Sequence, residues 1–284
     1  MPMPKLPLDE WIEVIVSFLD DHLSGLFSVV SGFIKGIVGG FSYLLHLSPA
    51  LVLIVLAVAL AYYLGKWGFA LFAFLGLLLI YNLGYWDHTM DTLALVLTAA
   101  LLSILSGIPL GIWCAQNKRV RSTLTPVLDF MQTMPAFVYL IPAVTFFGLG
   151  VVPGVIASVI FAVPPTIRLT ELGIRQVAPE LVEAAHAFGS SPSQVLVKLQ
   201  LPMAMPSIMA GINQTIMLAL SMVVISSMIG AQGIGADVYR AVTQVKTGQG
   251  FEAGLAIVVL AILLDRMTQY LMKRKKRPQR EKQA

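Results

Sequence analysis

The chain has 284 residues, 57% of them hydrophobic and only 12% charged, with a mean hydropathy of +0.82. Soluble domains carry about 25% charged residues, so a soluble globular fold is excluded and an all-α polytopic membrane protein is expected. The net charge of +4 does not point to nucleic acid: Lys273, Arg274, Lys275, Lys276, Arg277, Arg280 and Lys282 hold seven of the nineteen basic residues, so 273–284 reads as a basic cytoplasmic tail against anionic lipid.

Residues 1–46 form the N-terminal region. The first 25 residues are acidic and lack an ordered n-region, apolar core and cleavage site, so no cleavable signal peptide is expected. From Leu8 to Leu19, Trp11, Ile12, Ile15 and Phe18 alternate at helical spacing with Asp9, Glu10, Glu13 and Ser17, the pattern of an amphipathic surface helix. Over 24–46, Ser24, Ser28, Ser31, Lys35, Gly39, Ser42 and His46 recur at steps of three and four and form one polar face. Phe27, Phe33, Ile34, Ile37 and Phe41 lie opposite, which favours a helix lying in the membrane interface. The ridge of Gly32, Gly36 and Gly40 argues the other way, for a helix that crosses.

Residues 47–272 read as a transmembrane domain with seven spans, at 48–65, 69–85, 90–115, 124–147, 151–170, 204–229 and 252–272, each near the ~20 residues a bilayer needs. Lys66, then Lys118, Arg119 and Arg121, then Arg168, Arg175 and Lys198, and finally the tail mark cytoplasmic segments. The N-terminus is then outside, or inside if 26–46 also crosses. Two loops fall on the outer side: Tyr85–Asp91, short and anchored by Tyr85 and Trp86, and the glycine-rich Gly230–Glu252. The second either meets an external partner or plugs the gap between spans.

The sequence lacks G-x-x-x-x-G-K-[ST], H-E-x-x-H, G-x-S-x-G and C-x-x-C. Cys114 is the single cysteine, and His22, His46, His88 and His186 are scattered. The chain is therefore not expected to be an enzyme or to hold a cofactor or metal. Between Met203 and Ala236 there is no charged residue, and between Ser122 and Ile167 only Asp129. Ion-coupled carriers need buried ionisable relays, so any transport must draw its energy from another subunit. Gln132, Thr133, Asn213, Gln214 and Ser221 are candidates to line a polar pathway; interhelical hydrogen bonding is the other reading of each.

One long polar island interrupts the apolar chain, Pro179–Pro202 within a cytoplasmic loop spanning 171–202. Pro179 suits a first helical turn, with Glu180 and Glu183 near the positive end of the dipole. Gly189 supplies the left-handed closing residue. Ser191-Pro192-Ser193-Gln194 is a capping box that starts a second helix, which Pro202 and Pro206 are expected to end.

Within that island Glu183-Ala184-Ala185, then Gly189, Leu199, Leu201 and Pro202 at fixed spacing resemble the EAA loop of permease subunits of binding-protein-dependent ABC importers. The stretches at 132–177, 204–235 and 261–269 are similar to the glycine betaine/proline branch, the OpuA and ProU type of osmoprotectant importer. That resemblance covers about residues 85 to 272. It implies the type I ABC importer permease fold, a second permease copy, two ATPase subunits that bind ATP and Mg, and an external binding protein that delivers the solute. It also implies that Glu183, Ala184, Ala185, Gly189, Leu199 and Pro202 couple the chain to the ATPase. Glycine betaine or a related quaternary-ammonium solute is the implied cargo; choline, proline or another amino acid stays open. A self-standing channel or osmosensor would leave the EAA spacing unexplained.

Overall fold

The structure, a computed structural model, describes residues 7–275; the basic residues from Lys276 onward and the side chains of 272–275, where the expected tail falls, lie outside that description. Its helices are α1 (Leu8–His46), α2 (Ala50–Asn82), α3 (Trp86–Gln116), α4 (Lys118–Thr133), α5 (Leu140–Phe147), α6 (Val151–Arg175), α7 (Pro179–Ala187), α8 (Pro192–Val195), α9 (Leu201–Ser226), α10 (Ile234–Thr243) and α11 (Thr247–Lys275). Among the described residues no strand forms.

α1 is one continuous helix where two were expected. Nothing between Leu19 and Ser24 breaks it, since that stretch holds neither proline nor glycine. Its first half is exposed, but Val30, Ile34 and Val38 pack in one apolar cluster with Leu95 and Ala99 of α3 and Val152 and Val155 of α6. The Phe27 ring packs at a tilt against that of Phe146, 4.8 Å between centroids.

α2 is a hairpin. A straight helix of 33 residues would be about 50 Å long, yet both its ends lie at the same end of the bundle. His46, before α2, is 3.8 Å from Asp91, and Asp91 lies early in α3, which follows α2 directly. The reversal falls at Lys66 (φ 62°, ψ −158°), and the rings of Tyr62 and Trp67 meet edge to face at 5.0 Å beside it. The halves 50–65 and 67–82 correspond to the first two expected spans. The second half packs closely on α11: a Cβ at Gly76 would lie 2.6 Å from Val259 Cγ1.

The expected span at 124–147 is broken instead. α4 and the stretch Ala136–Phe147 meet at 110°. Pro135 is the cause, because it forces Met134 into an extended conformation (φ −68°, ψ 136°) that no helix can pass through. The supposed loop at 85–91 is also different, being helical from Trp86 onward.

α6 is the centre of the molecule, packed on α3 along one side and on α9 along the other. Close approach comes from small residues. A Cβ at Gly111 would lie 2.7 Å from the Ile167 carbonyl, and one at Gly211 would lie 3.1 Å from the Pro165 carbonyl. Thr166 and Thr215, both fully buried, hydrogen-bond at 2.7 Å, and Thr215 also donates to the Ala162 carbonyl at 2.8 Å. Thr166 and Thr215 thus satisfy each other, as a membrane interior requires, whereas the buried Thr170 hydroxyl of α6 has no hydrogen-bond partner among the described residues.

Candidate coupling site

The polar island forms a tip standing on the ends of α6 and α9. α6 stops at Gln176, and Ala178 is extended (φ −53°, ψ 127°), as a residue before proline prefers. Pro179 then occupies the first turn of α7, where its missing N–H removes nothing.

Two capping motifs make the turn rigid. Gly189 has φ +80°; its N–H donates to the His186 carbonyl at 2.9 Å, and the Ser190 N–H donates to Ala185 at 3.0 Å. This 6→1 and 5→2 pair is a Schellman closure of α7. One residue on, the Ser191 N–H donates to Gln194 Oε1 at 2.9 Å and the Gln194 N–H to Ser191 Oγ at 3.4 Å, the expected capping box.

The second leg departs from expectation. Pro202 does not end the helix; α8 runs through a π turn at Leu196–Gln200 straight into α9. In that turn the Leu201 N–H reaches back five residues to the Leu196 carbonyl. The wider turn absorbs the hydrogen bond that Pro202 cannot donate and the crowding its ring would cause. Leu196 and Leu201 turn inward to a cluster of Ile174, Ala204 and Ile208 that fastens the tip to the bundle.

The outer surface of the tip is bare. Glu183, Ala184 and Gly189 are exposed, Ala185 and Leu199 half-buried, and Pro202 exposed. No residue of α7 is buried. Phe188 stands beside Gly189 with 90% of its surface exposed, an aromatic that sequence reasoning did not single out. A tip with an exposed apolar knob on a short, doubly capped frame can transmit a push into both helices it stands on.

Elsewhere at this end, ion pairs tie α4 to α6: Arg168 with Asp129, and Arg121 with Glu171 at 3.8 Å. Sequence reasoning noted Asp129 but not its partner, although a lone charge in an apolar stretch calls for one. A second joint, for which the sequence offered interhelical bonding by Asn213 but no partner, lies between α9 and α11. Asn213 Nδ2 donates to Asp265 Oδ1 at 2.8 Å, Gln269 Nε2 donates to Asp265 Oδ2 at 2.8 Å, and Thr268 donates to Asn213. Asp265→Leu would leave two amides without their acceptor, so a loss of about 1–3 kcal/mol in stability is expected. Unfolding in detergent checks it; Asp265→Asn, which keeps an acceptor, should lose less.

The remaining pathway candidates sit apart from that joint. Gln132, Thr133, Gln214 and Ser221 are exposed on the chain, with the Thr133 and Ser221 hydroxyls bonded to the carbonyls of Phe130 and Met217 in their own helices. At the opposite end of the bundle the 230–252 stretch contains α10, whose first N–H, that of Ile234, donates to Thr92 Oγ1 at 2.9 Å. His88 pairs with Asp237 there. Among the described residues no cluster of three or more His, Cys, Asp or Glu could hold a metal.

Residues 107–277, which include the whole tip and both its legs, match the family described as binding-protein-dependent transport system inner membrane component. The chain belongs to that family. It is 53% identical over 278 residues to the glycine betaine transport system permease protein OpuAB of Bacillus subtilis, covering 96% of this chain and 97% of that protein. It is 55% identical to the glycine betaine/carnitine transport permease protein GbuB of Listeria monocytogenes, over 96% of this chain and 98% of that one. In fold it is similar to the MetNI methionine ABC transporter in its inward-facing conformation, with a TM-score of 0.60 at 19% identity, covering 66% of this chain and 93% of that one. The architecture is that of a type I ABC importer permease. As a permease subunit this multi-pass membrane chain works with a separate ATPase and a substrate-binding protein, and is not itself an enzyme.

Proposed function

We propose that this permease forms the pathway by which glycine betaine, or a close quaternary-ammonium carboxylate such as carnitine, enters the cell at the expense of ATP hydrolysed by its partner. The extent of the likeness to OpuAB and GbuB supports the cargo. The observation that carries the mechanism is the tip: a rigid, exposed turn whose two legs are the centrally packed α6 and α9.

In this reading residues 47–272 are the transmembrane domain, 1–46 its N-terminal region and 273–284 a cytoplasmic tail that meets anionic lipid. Loop 171–202 faces the cytoplasm in the cell membrane. Glu183, Ala184, Ala185 and Gly189 enter a groove on the ATPase, with Phe188 as the apolar anchor. Leu199 and Pro202 set the π turn that aims them. Closure of two ATP- and Mg-loaded ATPase subunits rotates α6 and α9 as a unit. A second copy of the chain completes the pathway, to which Gln132, Thr133, Gln214 and Ser221 contribute. Asn213 serves the α9–α11 joint. The 230–252 stretch, with Tyr239, Val242 and Val245 exposed, receives the binding protein outside.

Proteoliposomes holding this chain, its ATPase and its binding protein should accumulate glycine betaine only when ATP is supplied on the ATPase side. Uptake driven equally well by an ion gradient alone would reject the reading.

A further inference from the structure

The polar face of α1 is not accounted for by coupling or by the pathway. Ser24, Ser28, Lys35, Gly39 and His46 on it are exposed, and Ser31 and Ser42 are half-buried. Lys35, Gly39 and Ser42 line a cavity of about 440 Å³ between α1 and the ends of α3 and α6. Asp91 of α3 lies across from them, and Leu95, Phe147 and Val152 supply an apolar wall. That volume lies within the ~300–1,000 Å³ of small-molecule sites.

The charges have a definite order. Ser42 Oγ is 3.5 Å from Asp91 Oδ1, and His46 Nε2 is 3.8 Å from it, so the carboxylate marks one end of the cavity. Lys35, the single Lys, Arg, Asp or Glu between residues 23 and 46, lies two helical turns away along α1. Among the described residues it has no ion-pair partner. Lys35 and Asp91 face the same cavity without pairing with each other, so a ligand that carries both an anion and a cation can bridge them through charge-assisted hydrogen bonds.

We infer that this cavity is a binding site for a zwitterionic phospholipid headgroup of the ethanolamine type. The phosphate accepts from Lys35, the primary ammonium donates to Asp91, and the glycerol and first acyl carbons lie against Leu95, Phe147 and Val152. A free quaternary-ammonium carboxylate shares the zwitterion chemistry, but its methylated nitrogen has no proton to donate to Asp91. The lipid also brings the apolar body that the wall requires.

The test uses the full-length chain in its assembled transporter, delipidated in detergent and titrated separately with phosphatidylethanolamine, phosphatidylglycerol and glycine betaine, with native mass spectrometry as the readout. Phosphatidylethanolamine should be retained about tenfold better than phosphatidylglycerol; Asp91→Asn should remove that preference, and Lys35→Gln should weaken retention of both lipids about tenfold, each the loss of one charge-assisted hydrogen bond. Lys35→Arg, which keeps the cation, should retain both as the wild type does. Equal retention of both lipids, or Lys35→Gln and Asp91→Asn variants that retain phosphatidylethanolamine as the wild type does, would overturn the assignment. So would saturable glycine betaine binding that both variants abolish, since the cavity would then be a solute site.

Discussion

Gly189→Pro is expected to cut ATP-driven solute uptake by tenfold or more, roughly the effect of 1.4 kcal/mol on a rate-limiting step, while ATP hydrolysis continues. Proline cannot adopt φ +80°, and it removes the N–H that bonds the His186 carbonyl. The α7 closure is lost and with it the fixed angle between the two legs of the tip. The apolar spans are untouched, so membrane insertion should be normal. Gly189→Ala keeps the N–H and should cost only about 1 kcal/mol of local strain, giving a partial defect. Uptake and hydrolysis measured in the same proteoliposomes decide the matter. If their ratio stays at the wild-type value in Gly189→Pro, the tip does not couple.

A second large effect is expected far from the tip. Gly111→Val places a Cβ 2.6 Å from Thr170 Cβ and 2.7 Å from the Ile167 carbonyl. The second of these is backbone and cannot swing aside, so α3 must move off α6. Overpacking of this kind costs about 1–3 kcal/mol or more, and a fall in Tm of about 5 °C or more should follow in detergent. Gly32→Val is the matching control, because a Cβ there meets nothing within 4 Å. A protein that loses as much stability from Gly32→Val as from Gly111→Val would show that the α3–α6 contact is not the tight one.

The shape of the tip at 179–202 was legible because its determinants are local. Pro179, Gly189 and the Ser191–Gln194 box each act within five residues, and each reappears as a specific hydrogen bond or backbone angle. The reversal at Lys66 was also signalled, by a single cation between two apolar runs. Hydropathy hid the break at Pro135, since averaging over a span does not register one extended residue. It also hid the join of the two N-terminal segments into α1. Pro202 misled in the opposite direction: its usual meaning is a helix end, and only the π turn, which has no residue signature, lets the helix continue. The Asn213–Asp265 joint spans 52 positions in the chain. Pairing at that separation depends on which helices become neighbours, so the pathway reading of Asn213 stayed open beside the interhelical one.

The π turn at Leu196–Gln200 also sets a direction. An α-helix turns about 100° per residue, so the one additional residue held there determines the azimuth at which α7 and α8 project relative to α9. Removing a single residue from 196–200 would restore ordinary helical winding and swing the tip around the helix axis, with every side chain of the EAA sequence intact. The heading of the tip is thus written in the spacing of the chain as well as in its chemistry.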